Sequence, residues 1–146
     1  MRNRVRYSLL ALGLVGSTAT FADCKDLDVK GAWSRATAPV VNVGAVYFDL
    51  TNTTSQAVTL IGGSTPVSDT VELHRREMKN GMMGMRHMHA VKVAAGQKLE
   101  FQPGKYHVML IGLKHPLKAE QVFPLSLQCA DGSQRKIEVL VHKIMQ

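Results

Sequence analysis

From residue 27 onward the chain alternates apolar and polar side chains with a period of two, in short runs broken by Gly, Pro, Asn and Asp. That period belongs to half-buried strands, whose successive side chains point to opposite faces. No stretch sustains the helical period long enough for three turns. The runs predict strands over 27–34, 44–51, 56–61, 69–74, 85–93, 97–101, 106–111, 124–129 and 135–142. Asn80-Gly81 and Asp131-Gly132 are the residue types that accept the positive φ angles of tight hairpins, and Pro103-Gly104 predicts a type II turn ahead of Tyr106. Strands at this spacing predict an all-β domain of two packed antiparallel sheets, a sandwich or barrel. No internal repeat, low-complexity segment or linker interrupts it, so one domain is expected over 23–146.

Residues 1–22 read differently: three arginines, an apolar stretch over 9–15, then small residues ending in Thr20-Phe21-Ala22. This is the pattern of a secretory signal peptide, and its apolar part falls short of the roughly 20 residues that a spanning helix needs. Cys24 lies just past the expected cleavage point, but Asp23 stands where a lipoprotein signal has a small residue. A soluble exported protein without a membrane span is expected. The formal charge of +7 loses Arg2, Arg4 and Arg6 with the leader, and the remaining bases are scattered among acids with no run of five like charges. That is a solvated surface, and it argues against a nucleic-acid partner. Cys24 and Cys129 are the only cysteines, an even count in an exported chain, which favours a disulfide. Two free thiols, one of them a metal ligand, are the alternative.

Composition turns specific between His74 and His89, where 16 residues hold His74, His87 and His89 with Met78, Met82, Met83, Met85 and Met88. Core packing would need the methionines on one face of a strand. Several sit instead beside Asn80, Gly81 and Gly84, in turn chemistry at an exposed hairpin tip. Thioether plus imidazole is the donor set that selects monovalent copper, whereas zinc prefers cysteine, histidine or carboxylate and calcium prefers oxygen. A second cluster lies in Tyr106-His107-Val108-Met109-Leu110, where alternation puts His107 and Met109 on one face, about 7 Å apart. The hairpin folds Met85 back towards His74, so these four can complete a site of two imidazoles and two thioethers.

His74, ten residues, Met85, twenty-one residues, His107, one residue and Met109 form a spacing that would arise by accident with a probability of about 5 × 10⁻⁴ over the chain. It resembles the metal motif of the PCuAC family of periplasmic copper chaperones. The likeness continues through Ala32-Trp33-Ser34-Arg35-Ala36-Thr37-Ala38-Pro39, Gly44-Ala45-Val46-Tyr47-Phe48, Val71-Glu72-Leu73-His74, Pro103-Gly104 and Gly112-Leu113-Lys114-His115-Pro116-Leu117. The resemblance implies a cupredoxin-like Greek-key sandwich, a monomer in the periplasm. It would carry copper, chiefly Cu(I), to the dinuclear copper centre of cytochrome c oxidase, to that subunit's assembly factors or to another copper-transfer protein. It also implies the ligand roles of His74, Met85, His107 and Met109, while Trp33, Tyr47 and the Gly-Leu-Lys-X-Pro-Leu run read as core and turn residues. Met82, Met83, His87, Met88 and His89 depart from the pattern. So does a short tail with only His142 and Met145 in place of the long His/Met-rich tail of some members, and an additional Cu(II) site is left open.

Other classes fit less well. A blue-copper electron carrier needs a cysteine thiolate closely followed by histidine and methionine, and Cys129 has no histidine until His142. A haem protein would show a Cys-X-X-Cys-His attachment run, and a hydrolase a nucleophile motif, and neither is present. Copper buffering or resistance is the alternative within the same chemistry.

Overall fold

The computed structural model describes residues 22–144. All of the expected leader except Ala22 lies outside the described residues, as does Met145 of the tail. A 3-10 turn, Cys24–Asp26, leads into β1 (Leu27–Arg35), β2 (Val43–Asn52), β3 (Val58–Ser64), β4 (Ser68–Lys79), β5 (Met82–His87), β6 (Val91–Val93), β7 (Lys98–Phe101), β8 (Tyr106–Leu113), β9 (Val122–Cys129) and β10 (Gln134–His142). The all-β class read from the alternation is the class observed.

The strands form one hydrogen-bonded path in the order β5-β4-β8-β2-β1-β10-β9-β3-β6, with β7 paired to β2. The two layers expected from the sequence are thus parts of a single sheet that wraps over itself, and the β1–β10 pair is parallel. β2 makes the wrapping possible by dividing its length: Val43–Val46 pair with β8, and Phe48–Thr51 pair with β7. Inward residues of the path meet in one core, with Val46, Phe48, Leu50, Leu73, Val108 and Leu110 joining Leu60, Leu125, Leu127, Val139 and Val141. Phe48 and Phe101 stack at 4.5 Å within it.

Three local differences from the sequence reading have physical causes. The run 85–93 is two strands, β5 on β4 and β6 on β3, because the chain changes partner across residues 88–90 and its alternation changes phase there: Met88 packs on the core, and the next buried residues are Val91 and Val93. β4 extends to Lys79, so Met82 and Met83 belong to a strand, and the hairpin turn is Asn80-Gly81 alone, with φ of 52° and 76°. At the β9–β10 turn only Gly132 has positive φ, at 86°, and Cys129 N–H donates to the Ser133 carbonyl at 2.9 Å. That is a three-residue loop closed by a glycine bulge, a longer form of hairpin than Asp-Gly by itself suggests. The Pro103-Gly104 turn is as expected, with Lys105 N–H donating to the Gln102 carbonyl at 2.9 Å and Gly104 at φ 86°.

Cys24 and Cys129 form a disulfide with a Cα separation of 5.8 Å, joining the 3-10 turn to the end of β9 across 105 residues. Both halves are buried in the core. Closing a loop of that length removes conformational freedom mainly from the unfolded chain, a stabilisation of roughly 4–5 kcal/mol on the chain-entropy account. Reduction is therefore expected to lower the melting temperature by about 10–20 °C. A thermal melt with and without reductant checks this, and an unchanged midpoint would mean that the bridge contributes nothing to the fold.

Candidate metal centre

β4 lies between β5 and β8, and its alternation sorts two kinds of chemistry. Leu73 faces the core, so Glu72, His74, Arg76 and Met78 face outward. His74 is paired with His107 on β8 and with His87 on β5; Glu72 is opposite Met109, and Arg76 opposite Met85. Directly opposed residues share a face of the sheet. Glu72, His74, Met85, His87, His107 and Met109 therefore lie together on one outer face. The His74 ring is 5.5 Å from the His107 ring and 5.5 Å from the His87 ring.

Met85, His107 and Met109 line a cavity of about 260 Å³, whose remaining wall is Arg35, Thr37, Val43, Gly44, Ala45 and Tyr47. His74 stands beside that cavity through its contact with the His107 ring and is not part of its lining. Tyr47 roofs His107 at 6.4 Å between rings, and Trp33 packs on Tyr47 at 4.8 Å. This cover leaves His107 only 4% exposed although it points away from the core. A larger cavity, about 430 Å³, is lined by Arg75, Arg76, Lys98, Glu100, Lys105 and Tyr106 among others, and offers no soft donor.

Hydrogen bonding decides which nitrogens are free. His74 Nε2 is 2.8 Å from Glu72 Oε2. An ionised carboxylate only accepts, so Nε2 carries the proton and Nδ1 keeps its lone pair. The hydrogen bond from His74 holds the Glu72 carboxyl below its ordinary range, with the charges of His87, His74 and His89 acting the same way. His74 Nδ1 and His107 Nε2 are both buried without a hydrogen-bond partner. Two buried, unpartnered imidazole nitrogens on facing strands are uncommon, because each forfeits its solvation.

Of the residues singled out from sequence, His74, Met85, His107 and Met109 share this face. His87 also joins it, 3.8 Å from Glu72 through Nδ1, and its ring is 4.3 Å from that of His89. Met82 is opposite Lys79 on the other face of the hairpin, and Met88 is half-buried against the core. Sequence reasoning placed Glu72 near His74 without a role and read Tyr47 as core. The signal for Glu72 was its i, i+2 spacing from His74, but nothing local announced that Tyr47 would cover β8. Among the described residues no three His, Cys, Asp or Glu side chains are arranged as a metal site on their own, whereas Met85 and Met109 lie on the same face as the histidines. Nothing in this arrangement supports the additional Cu(II) ion that the sequence left open.

The fold and this face define an all-β domain that gathers imidazole and thioether on one sheet surface. The LpqE-like family model matches residues 27–141, and the chain belongs to that family, which is the PCuAC family whose motif the sequence carries. Lxx21020 of Leifsonia xyli subsp. xyli (strain CTCB07), whose name includes the word lipoprotein, is 32% identical over 116 residues, 79% of this chain and 69% of that one. The solution structure of CuI-DR1885 from Deinococcus radiodurans is similar at 29% identity and a TM-score of 0.67, covering 89% of this chain and 85% of that one. The copper-bound PCuAC domain from PmoF2 shares the fold at a TM-score of 0.69 and 17% identity, over 85% of this chain and 97% of that one. No helix among the described residues is long and apolar enough to cross a membrane.

Burial, and after it the neighbouring charges of His74 and Arg76, hold the His107 pKa below its ordinary 6.5, against a backbone hydrogen bond at Lys105 that raises it. A depressed folded-state value means that the unfolded chain binds more protons once the pH falls below about 6.5, so stability present above that pH is lost as pH drops through the folded value. The metal-free protein is expected to melt at lower temperature at pH 5 than at pH 7, and His107→Asn to show a smaller difference. Equal pH dependence in the two proteins would show that His107 does not carry the effect.

Proposed function

We propose that this protein is a periplasmic copper chaperone that carries Cu(I) on His74, Met85, His107 and Met109. The observation that carries the reading is the pair of buried, unpartnered nitrogens, His74 Nδ1 and His107 Nε2, on the face that also bears both thioethers. Neutral imidazole and thioether are the soft and borderline donors that favour Cu(I) over zinc or calcium. The likeness to CuI-DR1885, named for its CuI form, supports the same cargo. Residues 1–22 act as the export leader, in keeping with the lipoprotein name of the Leifsonia relative. The recipient is the dinuclear copper centre of cytochrome c oxidase or one of its assembly factors, as the family motif implies.

The four residues divide the work by exposure. His107, buried beside Tyr47, and His74, whose ring is fixed through Nε2 by Glu72, supply the two unpartnered imidazole nitrogens. Met85 sits on the outermost strand, every residue of which is exposed, so its sulfur is the donor that a partner's ligand can replace first. Thioethers carry no proton, and handover through them moves none. Binding without redox change makes the protein a carrier and not an enzyme. The electron-carrier alternative requires a thiolate, and the disulfide leaves none, since Cys24 and Cys129 are bonded to each other and the chain has two cysteines.

Titration of the purified protein with Cu(I) against a coloured chelator tests the site. One equivalent is expected, and Met85→Leu and Met109→Leu, which keep volume but remove sulfur, should each lower affinity about tenfold or more. Met88→Leu should leave it unchanged. Wild-type affinity in both ligand variants would overturn the assignment. Mixing the Cu(I)-loaded protein with the copper-free oxidase domain separates delivery from buffering, because a buffer would keep its copper.

Proton competition supplies a further check. Cu(I) affinity should weaken as pH falls from 7 to 5, with a slope of log affinity against pH between zero and two, since two of the four donors titrate. Burial, which holds the His107 pKa below its ordinary value, moves its share of the competition to lower pH. A zero slope would remove both imidazoles from the site, and a slope of three would add His87 or His89 to it.

A further inference from the structure

The β4–β5 hairpin has two unlike faces beyond the site just described. One carries charge: Arg75, Glu77 and Arg86, with Arg86 Nη1 3.8 Å from Glu77 Oε2. The other continues the His/Met face outward, with Arg76, opposite Met85, as its one charged residue between the Met78–Met83 pair and His74. Met78 is directly opposite Met83, and Met85 follows Met83 two residues further along β5, beside His74 and His87. Met78, Met83 and Met85 are 63%, 53% and 55% exposed. An edge strand is ordinarily protected by charge, and three large apolar side chains in water on one face of an edge hairpin serve neither the core nor that protection.

We propose that Met78 and Met83 form a second, weaker Cu(I) site made of thioethers alone, an entry and exit station one step from Met85. This deepens the copper reading above and rests on it. Opposed residues on paired strands have Cβ atoms about 4.5–5.5 Å apart, within which two flexible thioethers can clamp one soft ion. Met85 stands about 7 Å further along the same strand. The transfer is ligand exchange: a bond from Met85 sulfur to copper forms as the one from Met83 sulfur breaks, and the remaining bond from Met78 sulfur breaks as the first imidazole nitrogen of the inner site binds. The His74 and His107 lone pairs and the Met109 sulfur then complete the inner site. Copper remains monovalent throughout and no proton moves, because no thioether has one to lose. Two neutral donors hold the ion more weakly than four, so the station fills second and empties first. Met82, on the opposite face opposite Lys79, has no part in it.

The test uses the protein with its methionine methyls labelled with carbon-13, titrated anaerobically with Cu(I) and followed by NMR. The first equivalent should shift the Met85 and Met109 methyls, and the second those of Met78 and Met83. The Met78→Leu/Met83→Leu variant should retain the first event, lose the second and take up Cu(I) from a chelator about tenfold more slowly, whereas Met82→Leu should behave as wild type. These residues are exposed, so leucine leaves the core intact, and an unchanged melt verifies it. A second equivalent that leaves Met78 and Met83 unmoved, an unchanged uptake rate in the double variant, or an equal loss in Met82→Leu would each overturn the station. A first equivalent that fails to shift Met85 and Met109 would instead overturn the inner site, and the two failures are read from different methyl signals.

Discussion

The register of β4 against both of its neighbours is the constraint on which the rest of this molecule depends. It aligns His74 with His107 on one side and with His87 on the other, while Leu73 and Val108, also opposed, go to the core. Because side chains alternate, a slip of one residue would send His74 inward and Leu73 into water, at a combined cost of several kcal/mol. The register is held from two directions. Burial of the inner face holds β4 to β8, and the Asn80-Gly81 turn, whose two positive φ angles few residue pairs accept, holds β4 to β5.

That register also creates an unusual expense. An unsatisfied buried polar atom costs about 1–3 kcal/mol, and the protein keeps two of them, on His74 and His107, within one small area. Tyr47 and Trp33 maintain the burial of one, and Glu72 orients the other. On the copper reading the cost belongs to pre-organisation, since imidazoles already desolvated and held by their neighbours lose less freedom when the ion arrives. The same burial keeps His107 neutral to lower pH than an exposed histidine.

Sulfur is partitioned by its oxidation chemistry. Both thiols are consumed in a buried disulfide between the two ends of the domain, and the exposed sulfur is all thioether. Thioethers, unlike thiols, neither form disulfides nor ionise, so exposed methionine escapes the pairing that an exposed thiol invites.

The sequence by itself determined the all-β class, most strand positions, the two tight turns with Asn80-Gly81 and Pro103-Gly104, and the spacing of His74, Met85, His107 and Met109. Each of these is a local property: alternation, a demand for positive φ, or a count along the chain. Tertiary structure decided what local order does not encode. Which strands pair is a long-range matter, and it split the run 85–93 between two partners and made β1–β10 parallel. It set Met78 against Met83 and turned Met82 away, a distinction between adjacent methionines that composition cannot draw. It brought Tyr47 from β2 over His107 and left two ring nitrogens dry, because burial belongs to the packed sheet and not to any residue's own neighbours in sequence.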